Sequence, residues 1–156
     1  MRFSTLSLIL AIILTSVATA QPPASHYKFQ VITYPGSTFT QVLDINKADR
    51  AVGYHGDQVN QGFTYKLPQH QFTAENFPGS VQTQVRGIDD LGETAGFYID
   101  KAGNNHGFME AKGQFKRVDF PVAMFTRILG RNNLNQAAGY FKDSAGVDHR
   151  RGRCCG

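Results

Sequence analysis

Apolar and polar residues alternate in short stretches along the middle of the chain, and turn-forming residues separate the stretches. Residues 81–88 alternate regularly, which is typical of a half-buried strand. Residues 94–99 are rich in aromatic and β-branched side chains, which favour strands. Asp, Asn and Gly between these stretches predict tight turns. The four predicted strands cover residues 81–88, 94–99, 106–110 and 114–120. Four short antiparallel strands of this kind form one small sheet, such as a propeller blade.

The same pattern recurs along the chain with a period of 43 residues. The Tyr-Pro-Gly-Ser of residues 34–37 returns 43 residues later as Phe-Pro-Gly-Ser, and after a second interval of 43 residues as Phe-Pro-Val-Ala. The positions that keep this phase are Thr40, Thr83 and Thr126; Asn46, Asp89 and Asn132; and Tyr54, Phe97 and Tyr140. A period of this size indicates a supersecondary unit that buries its apolar face against its neighbours.

The repeat predicts an all-β domain of tandem 43-residue antiparallel β-repeats. We expect a partial, propeller-like array of about three blades, the third incomplete. The domain covers residues 21–149, with repeats at about 27–71, 72–114 and 115–149. Closed propellers have about 4–8 blades, so an array of three predicts open sheet faces and self-association.

Glycine and proline mark fixed places in each copy. We interpret these as structural repeat positions: Gly53, Gly96 and Gly139; Gly62 and Gly107; and Pro35, Pro78 and Pro121. A glycine within a strand indicates a bend or a close approach of another backbone. In a propeller, the convergence of the inner strands on the axis would supply such crowding.

The first twenty residues predict a signal peptide rather than part of the fold. A charged start at Arg2 precedes an apolar run that is too short to span a bilayer. The small residues at 18–20 predict cleavage before Gln21. We therefore expect a secreted or periplasmic protein with no membrane insertion after cleavage.

The charge of the chain is less basic than its total suggests. Lys and Arg number 16 against 12 Asp and Glu, for a formal net charge of +4. Arg2 lies in the predicted signal, and Arg150, Arg151 and Arg153 crowd the C-terminal tail. Residues 21–149 therefore carry equal numbers of both charges. Nucleic-acid binding needs a basic face, so we expect no nucleic-acid partner.

Candidate ligand-binding side chains lie mainly in the first turn of each repeat. They are Asn46, Asp89, Glu93 and Asn132, with His106 in a later strand. Such turns gather on one face of a propeller, where they could hold a glycan. Tight turns also require Asn and Asp for their own hydrogen bonds, and we favour that interpretation. No nucleophile motif or metal-binding spacing is present, so we expect no catalytic residue, cofactor or metal.

Two segments of the second repeat carry a family resemblance. Residues 88–97 read Ile-Asp-Asp-Leu-Gly-Glu-Thr-Ala-Gly-Phe, and residues 103–108 read Gly-Asn-Asn-His-Gly-Phe. This pattern resembles the HAF family of bacterial extracellular repeat proteins, with Gly107 in place of the family's Ala. The resemblance covers residues 27–149. It implies a secreted, all-β, propeller-like protein and brings no catalytic residues with it.

The third repeat departs from the pattern at two places. Arg131 occupies the position of Ile45 and Ile88, which places a charge where a buried aliphatic side chain is expected. Residues 150–156 are basic and contain two cysteines, whereas the repeat predicts Gly at 150 and Phe at 151. This tail is either a genuine basic extension or sequence read out of frame.

These observations favour an exported, non-catalytic β-repeat protein that serves as a binding or surface-scaffold module and is a fragment of a longer repeat protein. Its partner would be a glycan or another extracellular protein. One alternative is a propeller-type glycan hydrolase or lyase that uses turn carboxylates such as Asp89 and Glu93. A second alternative is a degraded gene product without a function.

Overall fold

The computed structural model describes residues 27–155, with side chains as far as residue 150. The predicted signal peptide and its cleavage site lie outside the described residues. Residues 27–30 have no regular secondary structure, and residues 31–155 belong to one unit that holds every strand.

Three antiparallel sheets make up this unit. Sheet 1 has the order β1-β2-β3-β4, sheet 2 the order β5-β6-β7-β8, and sheet 3 the order β11-β10-β9. The strands are β1 (Thr40–Ile45), β2 (Arg50–His55), β3 (Gln61–Lys66), β4 (Gln71–Ala74), β5 (Gln82–Ile88), β6 (Thr94–Ile99), β7 (Asn105–Ala111), β8 (Gln114–Arg117), β9 (Phe125–Arg131), β10 (Gln136–Lys142) and β11 (Asp148–Cys155). Residues 27–155 contain no helix. The prediction of an all-β array of antiparallel repeats is therefore confirmed.

A turn that begins with proline leads into each sheet, as Pro-Gly before sheets 1 and 2 and as Pro-Val before sheet 3. In the first, Ser37 N–H donates to the Tyr34 carbonyl at 3.1 Å, and Gly36 has a φ of 75°. Proline followed by a residue with positive φ is the signature of a type II turn. The hydroxyl of Thr40 then accepts a hydrogen bond from Tyr34 N–H at 2.9 Å. The phased threonines therefore anchor each turn to the strand that follows.

The phased glycines of the second strands lie against backbone of the neighbouring strand. A Cβ added at Gly53 would lie 1.9 Å from the Gln41 carbonyl oxygen, and one at Gly96 would lie 2.1 Å from that of Gln84. The first strand bulges at this point, between Val42 and Asp44 in sheet 1. The crowding thus arises within each sheet, at the bulge, and not from the expected convergence of strands on an axis.

The sheets pack face to face in chain order. Strand β5 contacts β1, β2 and β3, and β9 contacts β5, β6 and β7. Val52 of sheet 1 packs with Val85 and Ile88 of sheet 2. Ala95 of sheet 2 packs with Ile128 of sheet 3. Each sheet therefore buries one face against the first strand of the next.

The predicted repeat boundaries differ from the limits of the sheets. The expected boundaries at 71/72 and 114/115 fall inside β4 and β8, because sheets 1 and 2 end only shortly before the turns at Pro78 and Pro121. The tail does not form a separate segment, since β11 runs through it. Arg150 pairs with Tyr140 in the register that Gly107 has with Phe97. Arg150 therefore occupies the backbone position where the repeat predicts glycine.

Candidate functional site

The amide and carboxylate side chains of the first turns hold the backbone of their own turns. Oδ1 of Asn46 accepts hydrogen bonds from the N–H groups of Ala48 (3.0 Å) and Arg50 (3.1 Å). Asp89 and Asn132 make the same pair of bonds in the other two repeats. These bonds are what Asn and Asp supply in tight turns. A ligand role for the three residues remains a prediction that this geometry does not require.

The first turns are also joined to one another across the sheets. The side-chain amide of Asn46 donates to the Asp89 carbonyl at 2.8 Å, a step of 43 residues. Asp90 N–H donates to Asn133 Oδ1 at 2.9 Å, again over 43 residues. Lys47 forms an ion pair with Asp90 at 3.1 Å. The turns therefore form a ladder that ties the sheets together.

His106 is held between two carboxylates. Its Nδ1 lies 2.9 Å from Asp119 Oδ2, and its Nε2 lies 3.2 Å from Asp100 Oδ2. Hydrogen bonds from Asn104 and from other neighbours, including His106, keep the pKa of Asp100 well below its usual range. Nε2 thus braces the turn at residues 100–104, while Nδ1 holds Asp119 beyond the end of β8. The use of His106 as a ligand remains a prediction, and it would require these bonds to break.

Arg131 is buried at the interface of sheets 2 and 3, where acceptors bind both Nη atoms and only Nε lacks a partner among the described residues. Its side chain is 1% exposed, and Nη2 lies 2.8 Å from Asp89 Oδ2 and 2.7 Å from Glu93 Oε2. Its Nη1 donates to the carbonyls of Thr94 and Glu110, both at 3.2 Å. A buried charge is tolerated when it is paired and hydrogen-bonded in this way. The charge predicted at an aliphatic position is therefore accommodated by acids of the preceding repeat, and these acids are two of the predicted ligand residues.

A larger cleft lies between sheets 1 and 2. Its volume is about 740 Å³. Most of its lining groups are polar or charged: Arg50, Thr64, Thr73, Glu75, Asn76, Glu93, Glu110 and Lys112, with Ala74, Leu91, Gly92, Gly113 and Phe115. We call this the first cleft. A smaller second cleft of about 350 Å³ lies beside sheets 2 and 3 and is lined by residues that include Lys116, Val118 and Arg131.

Glu75 is the most perturbed acid of the first cleft. Burial raises the pKa of Glu75 to about 7. The nearby charge of Glu110 raises it further, while a hydrogen bond from the Thr94 hydroxyl and the charge of Arg50 oppose the rise. Near neutral pH the cleft therefore holds a carboxyl group that can either donate or accept a hydrogen bond.

Arg50 enters the same cleft with an unsatisfied guanidinium group. Its Nε atom is buried and has no hydrogen-bond partner among the described residues. Its Nη1 lies beside Gly92, where an added Cβ would be 2.5 Å away. Gly92 also has a φ of 83°, a conformation that favours glycine. Both the close guanidinium and the backbone conformation therefore require glycine at this position. The turn of sheet 2 thus leaves space for the guanidinium of sheet 1.

Arg50, Glu75 and Glu110 were missed as candidates in the sequence. They lie in or beside strands, outside the turns where the candidate residues were expected. A signal was nevertheless available in the repeat. In the second copy, Glu93 stands 43 residues after Arg50, and Val118 stands 43 residues after Glu75. At these positions, one repeat has a polar residue where the equivalent position of another repeat has an apolar or an oppositely charged residue. Such positions show where the repeats differ in chemistry.

Neither similarity to known proteins nor a metal-binding cluster among the described side chains identifies a further functional residue. Comparison of the chain with protein-family models, with curated proteins and with solved structures finds no match. Among the described side chains, no three His, Cys, Asp or Glu residues converge in a way that could hold a metal ion. Residues 27–155 include no helix long and apolar enough to cross a membrane.

Proposed function

We propose that the protein is an exported binding module whose first cleft takes a saccharide. The observation that supports this most is a cleft of about 740 Å³ that polar and charged residues from sheets 1 and 2 help to line. Small-molecule sites have volumes of about 300–1,000 Å³ and a few convergent polar groups. Hydroxyl, amide, carboxyl and guanidinium groups on two rigid sheets could together bind the hydroxyl groups of a sugar.

The order of the sheets supports a propeller-like arrangement as part of this proposal. The first strand of each sheet contacts the first strand of the next, β1 with β5 and β5 with β9. This is the relation expected of inner strands in neighbouring blades. The resemblance to the HAF family and the predicted signal peptide point the same way, toward an extracellular repeat protein.

The test is a glycan array followed by titration calorimetry on the purified chain. Thr73 and Lys116 occupy equivalent places, 43 residues apart, opposite Thr64 and Met109. Thr73→Trp should fill the first cleft and abolish binding, whereas Lys116→Trp beside the second cleft should leave binding intact. Equal binding by both variants would refute the location of the site.

A glycoside hydrolase is the second candidate function, and one observation favours it. Glu75, with its raised pKa, shares the cleft with Glu110, which accepts a hydrogen bond from Gly113 N–H. Two carboxyl groups in different environments are the usual acid and base of glycoside hydrolysis. Asp89 and Glu93 suit this role less well, because Arg131 holds both.

The hydrolase proposal is tested by reducing-end release from any glycan that binds. Hydrolysis should disappear in Glu75→Gln while binding persists. Binding without product, in the wild-type chain between pH 5 and pH 8, would leave the binding module as the function.

A further inference from the structure

We propose that the first cleft recognises an acidic saccharide, and that Arg50 binds the carboxylate group of a uronic acid unit. This inference rests on the proposed function and names the class of its ligand. It starts from the guanidinium group that the first cleft leaves without a partner.

The second interface shows how the same fold pairs a buried guanidinium with acids, although the Nε of Arg131, like that of Arg50, has no partner among the described residues. There Arg131 receives two carboxylates, from Asp89 and Glu93, at 2.8 and 2.7 Å. Arg50 lies at the place in sheet 1 that Glu93 takes in sheet 2, and its Nε has no partner among the described residues. The buried Nε–H of Arg50 is a donor without an acceptor, and burial of an unsatisfied donor is unfavourable. No ion pair among the described residues involves Arg50, and a ligand carboxylate in the cleft would supply that counter-charge.

The remaining charges of the first cleft favour an anion over a cation. Glu93 is held by Arg131, and Glu110 accepts a hydrogen bond from Gly113 N–H. Glu75 keeps its proton up to a pH of about 7. The lining charges that no ion pair takes up among the described residues are the two positive charges of Arg50 and Lys112 and the single carboxylate of Glu110. A planar guanidinium binds a carboxylate through two parallel hydrogen bonds, which an ammonium group does not do.

The other lining groups favour a saccharide over a simple anion. Thr73 is exposed in the cleft, and Asn76 presents a side-chain amide whose Oδ1 accepts a bond from Gly62 N–H at 2.9 Å. These neutral groups suit sugar hydroxyls. The cleft is large enough for more than a single carboxylate, since volumes of this size enclose drug-sized ligands.

The charges around Glu75 give the interaction an expected pH dependence. Glu75 is flanked by Arg50 from β2, Thr94 from β6 and Glu110 from β7, with Glu93 and Lys112 also in the cleft. Ionisation of Glu75 above neutral pH places a negative charge beside the bound carboxylate. We expect affinity for the acidic saccharide to fall severalfold between pH 6 and pH 8, and Glu75→Gln to remove that fall.

The experiment is calorimetric titration of the full chain at pH 6 with tetragalacturonate and with its fully methyl-esterified, neutral counterpart. The acid should bind at least tenfold more tightly than the ester. Arg50→Gln and Arg50→Lys should each bind the acid at least tenfold more weakly than the wild-type chain does. Their affinity for the ester should change little. Arg117→Gln, an exposed arginine at the second cleft, should retain full affinity and serves as the matched control. The melting temperature of each variant establishes that it is folded.

The outcomes separate this inference from the proposed function. Equal affinity for acid and ester, blocked by Thr73→Trp, would overturn carboxylate recognition and leave saccharide binding in place. Binding of a penta-glutamate peptide through Arg50, with no saccharide binding, would overturn the saccharide class. Tetragalacturonate binding that Arg50→Gln leaves unchanged would overturn the role of Arg50.

Discussion

The two inter-sheet interfaces are built from equivalent positions, and they treat charge in opposite ways. At the interface of sheets 2 and 3, Arg131 is buried and paired with two acids of the preceding repeat. At the interface of sheets 1 and 2, Ile88 takes the place of Arg131 and packs on Val52. Arg50 is left in an open cleft beside Glu75. One interface pairs its arginine with two carboxylates, while the other leaves its arginine in a cleft without an ion pair among the described residues, and we place the function there.

The largest expected effect comes from removing the charge that completes the second interface. Arg131→Ile should lower the free energy of unfolding by about 3–5 kcal/mol, because it leaves Asp89 buried and unpaired. Urea unfolding at pH 7 measures this loss. Arg117→Ala, at an exposed arginine, should change stability by less than about 0.5 kcal/mol.

A double variant sharpens the same comparison. Arg131→Ile combined with Asp89→Asn gives the second interface the residues of the first, Ile88 and Asn46. Asn keeps the Oδ1 acceptor that the turn needs and removes the unpaired charge. The double variant should therefore be more stable than Arg131→Ile alone. An additive result in the double-mutant cycle would contradict the pairing.

The next largest effect concerns the acid that distinguishes the first cleft. Glu75 has a folded pKa of about 7 against an ordinary value of 4.5, so the folded chain keeps a proton that the unfolded chain loses. Its contribution to stability is therefore lost as pH rises from about 4.5 to 7, and the full penalty is present above pH 7. Glu75→Gln should raise the free energy of unfolding by roughly 2–3 kcal/mol at pH 8 and hardly at all at pH 4. The same gain at both pH values would show that the carboxyl is not perturbed.

Glycines at the two interfaces provide a smaller and parallel test. A Cβ at Gly62 would lie 2.8 Å from Val85 Cγ2, and one at Gly107 would lie 3.1 Å from Ile128 Cγ1. Both would also crowd a backbone carbonyl, at 2.3 and 2.4 Å. Gly62→Ala and Gly107→Ala should each cost about 1–3 kcal/mol. Gly130→Ala, where an added Cβ meets no atom within 4 Å, should cost nothing, and a loss there would undermine the packing argument.

The smallest expected change in stability concerns the turns that precede the sheets. Val122 has a φ of 60°, where the other two turns have Gly36 and Gly79. A β-branched residue is strained in this conformation. Val122→Gly should raise stability by about 0.5–1 kcal/mol, less than the strain alone because glycine also gains freedom in the unfolded chain. Thermal melting measures this change, and Gly79→Val should shift the melting temperature in the opposite direction.

The sequence predicts the sheets well because their determinants are local and repeated. Strand patterns such as that of residues 81–88 and turns that begin with proline recur with one period, so each copy supports the assignment of the others. The cause of the strand glycines was harder to predict, because the bulge that brings the Gln84 carbonyl to Gly96 follows from strand register.

The candidate site was less predictable because it depends on which faces of the sheets meet. Turn residues such as Asn46 and Asp89 carry the chemistry of a ligand site, yet their hydrogen bonds serve the turns. Glu75 beside sheet 1 and Glu110 in sheet 2 are separated by 35 positions and come together only where the two sheets pack. Sequence periodicity identifies which positions are equivalent, and the differences between equivalent positions, Arg50 against Glu93 above all, are where a site should be sought.

The most direct test of a functional first cleft is an amide NMR titration of the chain with tetragalacturonate. The account predicts shift changes at Arg50, Thr73 and Asn76 and unchanged signals at Lys116 and Ala138. Shift changes concentrated at Lys116, or along the turn ladder at Asn46 and Asp90, would contradict it.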